Sequence, residues 1–193
     1  MIHYDYKIAD IRLRSDYDLV KVGLRGFAPF ACDVEGDADC SFVADATMPL
    51  SDSTVDKRLS DSYLAEADAN GVLYKTSFGY LYRITPCRPE GQVIEFSIET
   101  ATNRITTNMM SGDVDVAILR FGLWIMFGVV LAKHSAIAIH SSAIESGGRV
   151  VLFLGESGTG KSTHTRLWRE NIEGARLLND DSPIVRMVDD KAI

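Results

Sequence analysis

Gly155-Glu156-Ser157-Gly158-Thr159-Gly160-Lys161-Ser162 is the stretch that decides how this chain reads. It spells G-x-x-x-x-G-K-S, a phosphate-binding loop, with Thr163 directly after it. Before it runs Arg149-Val150-Val151-Leu152-Phe153-Leu154, an apolar run bounded by glycines. Such a run predicts a strand buried on both faces. After it, Ser162 to Glu170 holds neither Gly nor Pro and can open a helix at the loop. Strand, glycine loop and helix together form the context this motif requires.

The glycines let the backbone turn its N–H groups inward as an anion nest. The helix N-terminus adds its positive end. Lys161 brings a mobile full charge for the outer phosphates, and the Ser162 hydroxyl can ligate the magnesium that travels with ATP. The expected nucleotide-binding set is therefore Gly155, Glu156, Ser157, Gly158, Thr159, Gly160, Lys161, Ser162 and Thr163, with ATP and Mg2+ (or Mn2+) as cofactors. A glycine-rich turn without a ligand is the bland alternative, and it leaves Lys161-Ser162 and the flanking elements unexplained.

Two further groups flank the loop. Upstream, Ala136 to Ile144 reads as one strand, and Ser146-Gly147-Gly148 turns it back onto the loop strand. A hairpin there sets His140 level with Gly155. Downstream, Gly174 closes the helix zone, and Ala175-Arg176-Leu177-Leu178 leads into Asn179-Asp180-Asp181. Magnesium takes oxygen ligands, commonly one or two carboxylates plus waters and phosphate oxygens. A second carboxylate can accept a proton from an attacking hydroxyl. Asp180, Asp181 and His140 are the expected catalytic group, and Ser162 and Asp181 the expected metal ligands. Which acid is base and which is ligand stays open. His140 is placed to touch the metal or the carboxylate pair, or else to be an ordinary core histidine. His134 and His164 read as structural.

Residues 1–110 read as a β-rich module. Ile8, Ile11 and Leu13 begin it, Leu19-Val20-Lys21-Val22-Gly23-Leu24 and Ser41 to Ala44 follow, and Asn70-Gly71 is the strongest hairpin signal. Tyr80 to Ile84 and Val93 to Ile98 are strand-like. Tyr4, Tyr6, Tyr74, Tyr80 and Tyr82 read as half-buried sheet positions, and Asp52, Asp56 and Asp61 as solvated. Ser111-Gly112-Asp113 is the expected break. From Val114 to His134 the chain reads as one buried helix, with Trp124 and Met126 in the core. The expected division is thus a β-rich domain over 1–110 and a nucleotide-binding α/β domain over 111–193.

Three pieces together carry a family resemblance: Ile139-His140-Ser141-Ser142-Ala143, Val151 to Thr163, and Leu177-Leu178-Asn179-Asp180-Asp181. They resemble the phosphoenolpyruvate carboxykinase / HPr kinase superfamily. His-Ser-Ser-Ala and Gly-Lys-Ser-Thr look like ATP-dependent phosphoenolpyruvate carboxykinase; Gly-Glu-Ser-Gly and the compact spacing look like HPr kinase/phosphorylase. The resemblance implies an α/β core with the phosphate loop between sheet strands. It places Lys161 on the β- and γ-phosphates, Ser162 and one of Asp180 and Asp181 on the metal, and the other acid, near His140, as base for the acceptor hydroxyl. Thr163 stands where HPr kinases typically carry an acidic residue. The family has further strands beyond its Asp-Asp pair, so a core incomplete at its C-terminus is expected.

The chain has 193 residues and a net charge of −7. That balance argues against general nucleic-acid binding. Met1-Ile2-His3-Tyr4-Asp5-Tyr6 is no secretory signal. Three cysteines, Cys32, Cys40 and Cys87, suggest neither a disulfide framework nor a zinc site. Phe121 to Ala132 falls short of the ~20 apolar residues a bilayer demands. A cytoplasmic protein without membrane or nucleic-acid partners is expected, with homo-oligomerisation left open. Its partners would be a nucleotide and a protein or small-molecule hydroxyl acceptor. The expected function is ATP-dependent phosphotransfer resembling HPr serine kinase. The alternatives are a carboxykinase-like enzyme, a transporter-type ATPase, which lacks its signature loop here, and a nucleotide-binding module without catalysis.

Overall fold

The computed structural model describes residues 2–33, 36–47, 54–110, 112, 114–156 and 158–193. Ser157 of the loop, Asp52, Ser111 and Asp113 lie outside the described residues. The protein is mixed α/β and mostly sheet. It divides into two compact units, one up to Val130 and one from Leu131 onward.

The first unit is one nine-stranded sheet. Its strands are β1 (Tyr4–Ile8), β2 (Ile11–Ser15), β3 (Ala31–Cys32), β4 (Cys40–Ala44), β5 (Val55–Leu64), β6 (Ala69–Thr76), β7 (Gly79–Pro86), β8 (Ile94–Glu99) and β9 (Arg104–Thr107). Their order is β3-β1-β2-β4-β9-β8-β7-β6-β5. Period-two alternation sorts the faces. The register puts Tyr6 beside Leu13, Phe42 beside Ile105, and Ile105 beside Ile98, all on one face. These residues are buried, and Tyr17, Phe42 and Phe96 stack through them. The other face carries ion pairs, Asp5 with Arg14 at 2.9 Å and Glu95 with Arg83 at 2.6 Å.

Helix α1 (Val116–Lys133) begins where Asp115 caps it, its Oδ1 accepting from the N–H groups of Ala117 and Ile118 at 3.0 and 3.1 Å. It is 18 residues long, and by length and composition it could cross a membrane, yet 44% of that window is buried. Ile118, Leu119, Leu123, Met126, Phe127 and Val130 are buried. Gly122 brings the helix backbone onto the Phe96 ring, so that a Cβ there would overlap the ring. Because α1 packs on the sheet, the division between units falls at 130, not at the expected 110. Trp124 differs from its expected core position: it is 40% exposed, on the stripe Val116, Arg120, Trp124, Gly128 that faces away from the buried residues.

The close approach at Gly122 gives a test with a built-in control. Gly122→Ala should destabilise the protein by about 1–3 kcal/mol through overpacking. Gly128→Ala, on the same helix with open space around it, should stabilise by about 0.5–1 kcal/mol through helix propensity. Urea unfolding of the two variants checks both signs.

Two sequence expectations for this unit change. Asn70-Gly71 is not the hairpin turn; both lie inside β6. The reversal comes earlier, at Ala65–Ala67 and Asp68, which takes φ +44°. Gly71 serves packing instead, because the Tyr82 ring occupies the place a Cβ would take. Leu19 to Leu24 is not a strand but a series of turns, with Leu24 N–H bonded to Leu19 O at 2.8 Å. Its leucines are still buried, so the apolar run is a plug in the core, not a sheet element.

The second unit holds β10 (Ala136–Ala138), β11 (Ser141–Ser146), β12 (Arg149–Leu154), α2 (Lys161–Asn171), β13 (Arg176–Asn179), β14 (Ile184–Val188) and β15 (Lys191–Ala192). They form two three-stranded sheets, β10-β14-β15 and β12-β11-β13. The single strand expected over 136–144 is split: β10 pairs with β14, the chain breaks at Ile139-His140, and β11 pairs with β12 and β13. The loop strand β12 is not buried on both faces. It is an edge strand with Val150 53% and Leu154 66% exposed, because β11 flanks it on one side and α2 covers the face that carries Phe153.

Candidate functional site

The site grows from the hairpin β11–β12. Its register pairs Ser141 with Leu154, so the residues just outside, His140 and Gly155, meet at the same end. Glu145 secures the other end. Its carboxylate accepts from the Gly148 N–H at 2.8 Å and from Arg176 at 2.7 Å, and these donors hold it below the usual carboxylate range.

From Gly155 the chain enters the phosphate loop. Gly158 and Gly160 take φ +81° and +92°, conformations that L side chains rarely adopt. Gly160 is the N-cap of α2 and offers no side-chain cap, so the helix presents its first-turn N–H groups openly. Phe153 holds the helix to β12. The His164 ring stacks on it at 5.5 Å and Trp168 meets it edge-on at 5.7 Å. His164 is thus structural, as expected.

Lys161, the first helical residue, folds back over the loop. Its ammonium donates to Gly155 O at 2.7 Å and Glu156 O at 3.0 Å, and lies 3.3 Å from His140 Nε2. With Nε2 accepting, the ring proton sits on Nδ1. That nitrogen lies 3.4 Å from Asp181 Oδ1. Lys161, His140 and Asp181 therefore form a line across the mouth of the loop. His140 meets the acid directly, closer than the roughly 4–8 Å expected for two groups bridged by a hydrated magnesium.

Asp180 faces the other way. Its Oδ1 accepts from Ser162 Oγ at 3.2 Å and from Ser142 Oγ. The Asn179 side chain sets this split. Its Oδ1 accepts from the N–H groups of Asp181 and Ser182, each at 2.9 Å, and so closes a turn that sends the two acids apart. The chain on either side of His140 grips the same turn, through Ser141 N–H to Asp181 O at 2.9 Å and Ile139 N–H to Pro183 O at 3.0 Å.

These groups line a cleft of about 430 Å³, bounded by His140, Gly158, Gly160, Lys161, Ser162, Thr163, Asp180 and Asp181. The sequence pairs Ser162 with Asp181 as metal ligands; the structure sets Asp180 beside Ser162 and Asp181 beside His140. Ser162 and Asp180 offer the hard oxygen donors magnesium prefers. Among the described residues no three His, Cys, Asp or Glu side chains gather as a metal set. Such a donor pair fits an ion that brings phosphate and water oxygens with it. Ser142 and Asn179 carried no role in the sequence reading. The one available signal was the serine pair Ser141-Ser142 directly after His140 in the strand beside the loop strand.

No family model, curated protein or solved structure matches this chain.

Proposed function

We propose that residues 131–193 bind a magnesium–nucleoside triphosphate and transfer its terminal phosphoryl group to a hydroxyl, as the resemblance to HPr serine kinases suggests. The observation that carries this reading is the meeting of Lys161, Ser162, Asp180, Asp181 and His140 at one open cleft beside a helix N-terminus. Lys161 leaves the carbonyls of Gly155 and Glu156 for the outer phosphates. Ser162 and Asp180 would hold the magnesium ion, which when bound would neutralise charge on the phosphates. Asp181, oriented by His140, takes the proton from the acceptor hydroxyl. The acceptor oxygen bonds to the γ-phosphorus, the bond to the bridging oxygen breaks, and its electron pair leaves with ADP.

The exposure of the site suits a bulky acceptor. Asp181 and His140 are 85% and 57% exposed in their side chains, so a hydroxyl on a peptide or protein can reach the base. The test is the chain with γ-labelled ATP, magnesium and a pool of serine-containing peptides. Label should move to peptide serine as ADP forms. ATP binding with label moving neither to peptide nor to water would reduce the function to nucleotide binding.

A further inference from the structure

We propose that Ser142 is a positioning residue for the metal-facing carboxylate of this site, an inference that rests on the magnesium–nucleotide reading above. Strand alternation along β11 separates the two adjacent serines. Ser142 pairs with Phe153 and shares its face, the face on which α2 packs, whereas Ser141 points to the opposite one. The Ser141 hydroxyl turns back to Ile139 O at 3.3 Å. The Ser142 hydroxyl instead donates to Asp180 Oδ1, the same oxygen that Ser162 meets.

Burial gives this contact its consequence. Ser142 is fully buried, while Asp180 is exposed at the end of β13. An exposed aspartate on a turn samples several rotamers, and a donor that cannot itself move confines it. Ser142 is fixed by its strand pair with Phe153 of β12, and the next residue, Ala143, pairs with Asn179 of β13. It therefore ties the acid to the rigid part of the unit and points it at the first turn of α2. Donors behind metal-facing carboxylates commonly set metal affinity without touching the metal. Here Ser142 keeps Asp180 on Ser162 and away from Asp181, so the two acids hold separate tasks.

The test compares ADP binding with Mg2+ and with EDTA by calorimetry, on the full chain. Ser142→Ala should weaken magnesium–ADP binding about tenfold and leave metal-free ADP binding unchanged. A loss of equal size with and without metal, or no loss, overturns the role. If Ser142→Ala does not fold, Ser142→Cys keeps the volume with a much weaker donor, and the same comparison applies. If the wild-type chain itself shows no gain from Mg2+, the metal-site reading fails, and the Ser142 role falls with it.

Discussion

Asp181→Asn should slow phosphoryl transfer by about 10²–10⁴-fold, the usual contribution of a positioned general base, while magnesium–ADP binding stays within a few-fold. The amide matches the carboxylate in size but cannot take up the acceptor's proton. The fold should tolerate it. The side chain is 85% exposed, and the turn is held by backbone groups, Asp181 N–H to Asn179 and Asp181 O to Ser141. Single-turnover transfer and calorimetry on one preparation check both halves. A variant that loses binding and transfer together would place Asp181 on the metal and restore the pairing with Ser162 read from the sequence. Unchanged transfer would remove it from the chemistry.

Lys161→Ala should weaken magnesium–ATP binding by about 10–100-fold, the loss of one hydrogen-bonded full charge. The thermal midpoint should barely move. Lys161 bonds to two loop carbonyls and one exposed imidazole, and none of these belongs to the buried core. Fluorescent-nucleotide titration beside a thermal melt separates the two effects. Affinity equal to wild type would mean the loop does not take up phosphate through this lysine.

Local signals carried much of the site. Gly155 to Ser162 is contiguous, and its chemistry is written in residue types. The pairing of His140 with Gly155 followed from a short Gly-Gly turn, because a hairpin counts residues symmetrically on both arms. The assignment of the two acids could not be read this way. It depends on the Asn179 side chain, whose local turn does not say where each acid will point, and on a hydroxyl 38 positions upstream, a contact with no spacing rule. The fold divides similarly. Runs rich in aromatic and β-branched residues, β7 and β8, were legible, and so was α1. Misread stretches were those where tertiary packing overrode a local preference. Gly71 looked like a turn residue but gives room to Tyr82, and Leu19 and Leu24 looked like a strand but plug the core. For β12 the composition was read correctly and the surroundings were not; an apolar run states what a strand prefers, not how many neighbours it has.

The break at His140 bears on how this part of the chain tolerates change in length. Surface turns usually absorb an added or lost residue, since little depends on their register. The turn from Asn179 to Pro183 is exposed or half-exposed, yet two backbone bonds from either side of His140, those of Ile139 and Ser141, clamp it at Pro183 and Asp181. Only Ser182 lies between those clamps, so one residue more or less there breaks one of the two bonds and loosens the turn that carries both acids. At Ser182 a change of side chain should therefore be tolerated by the fold, while a change of length should not: a stretch that looks free to drift in length is held to a fixed one.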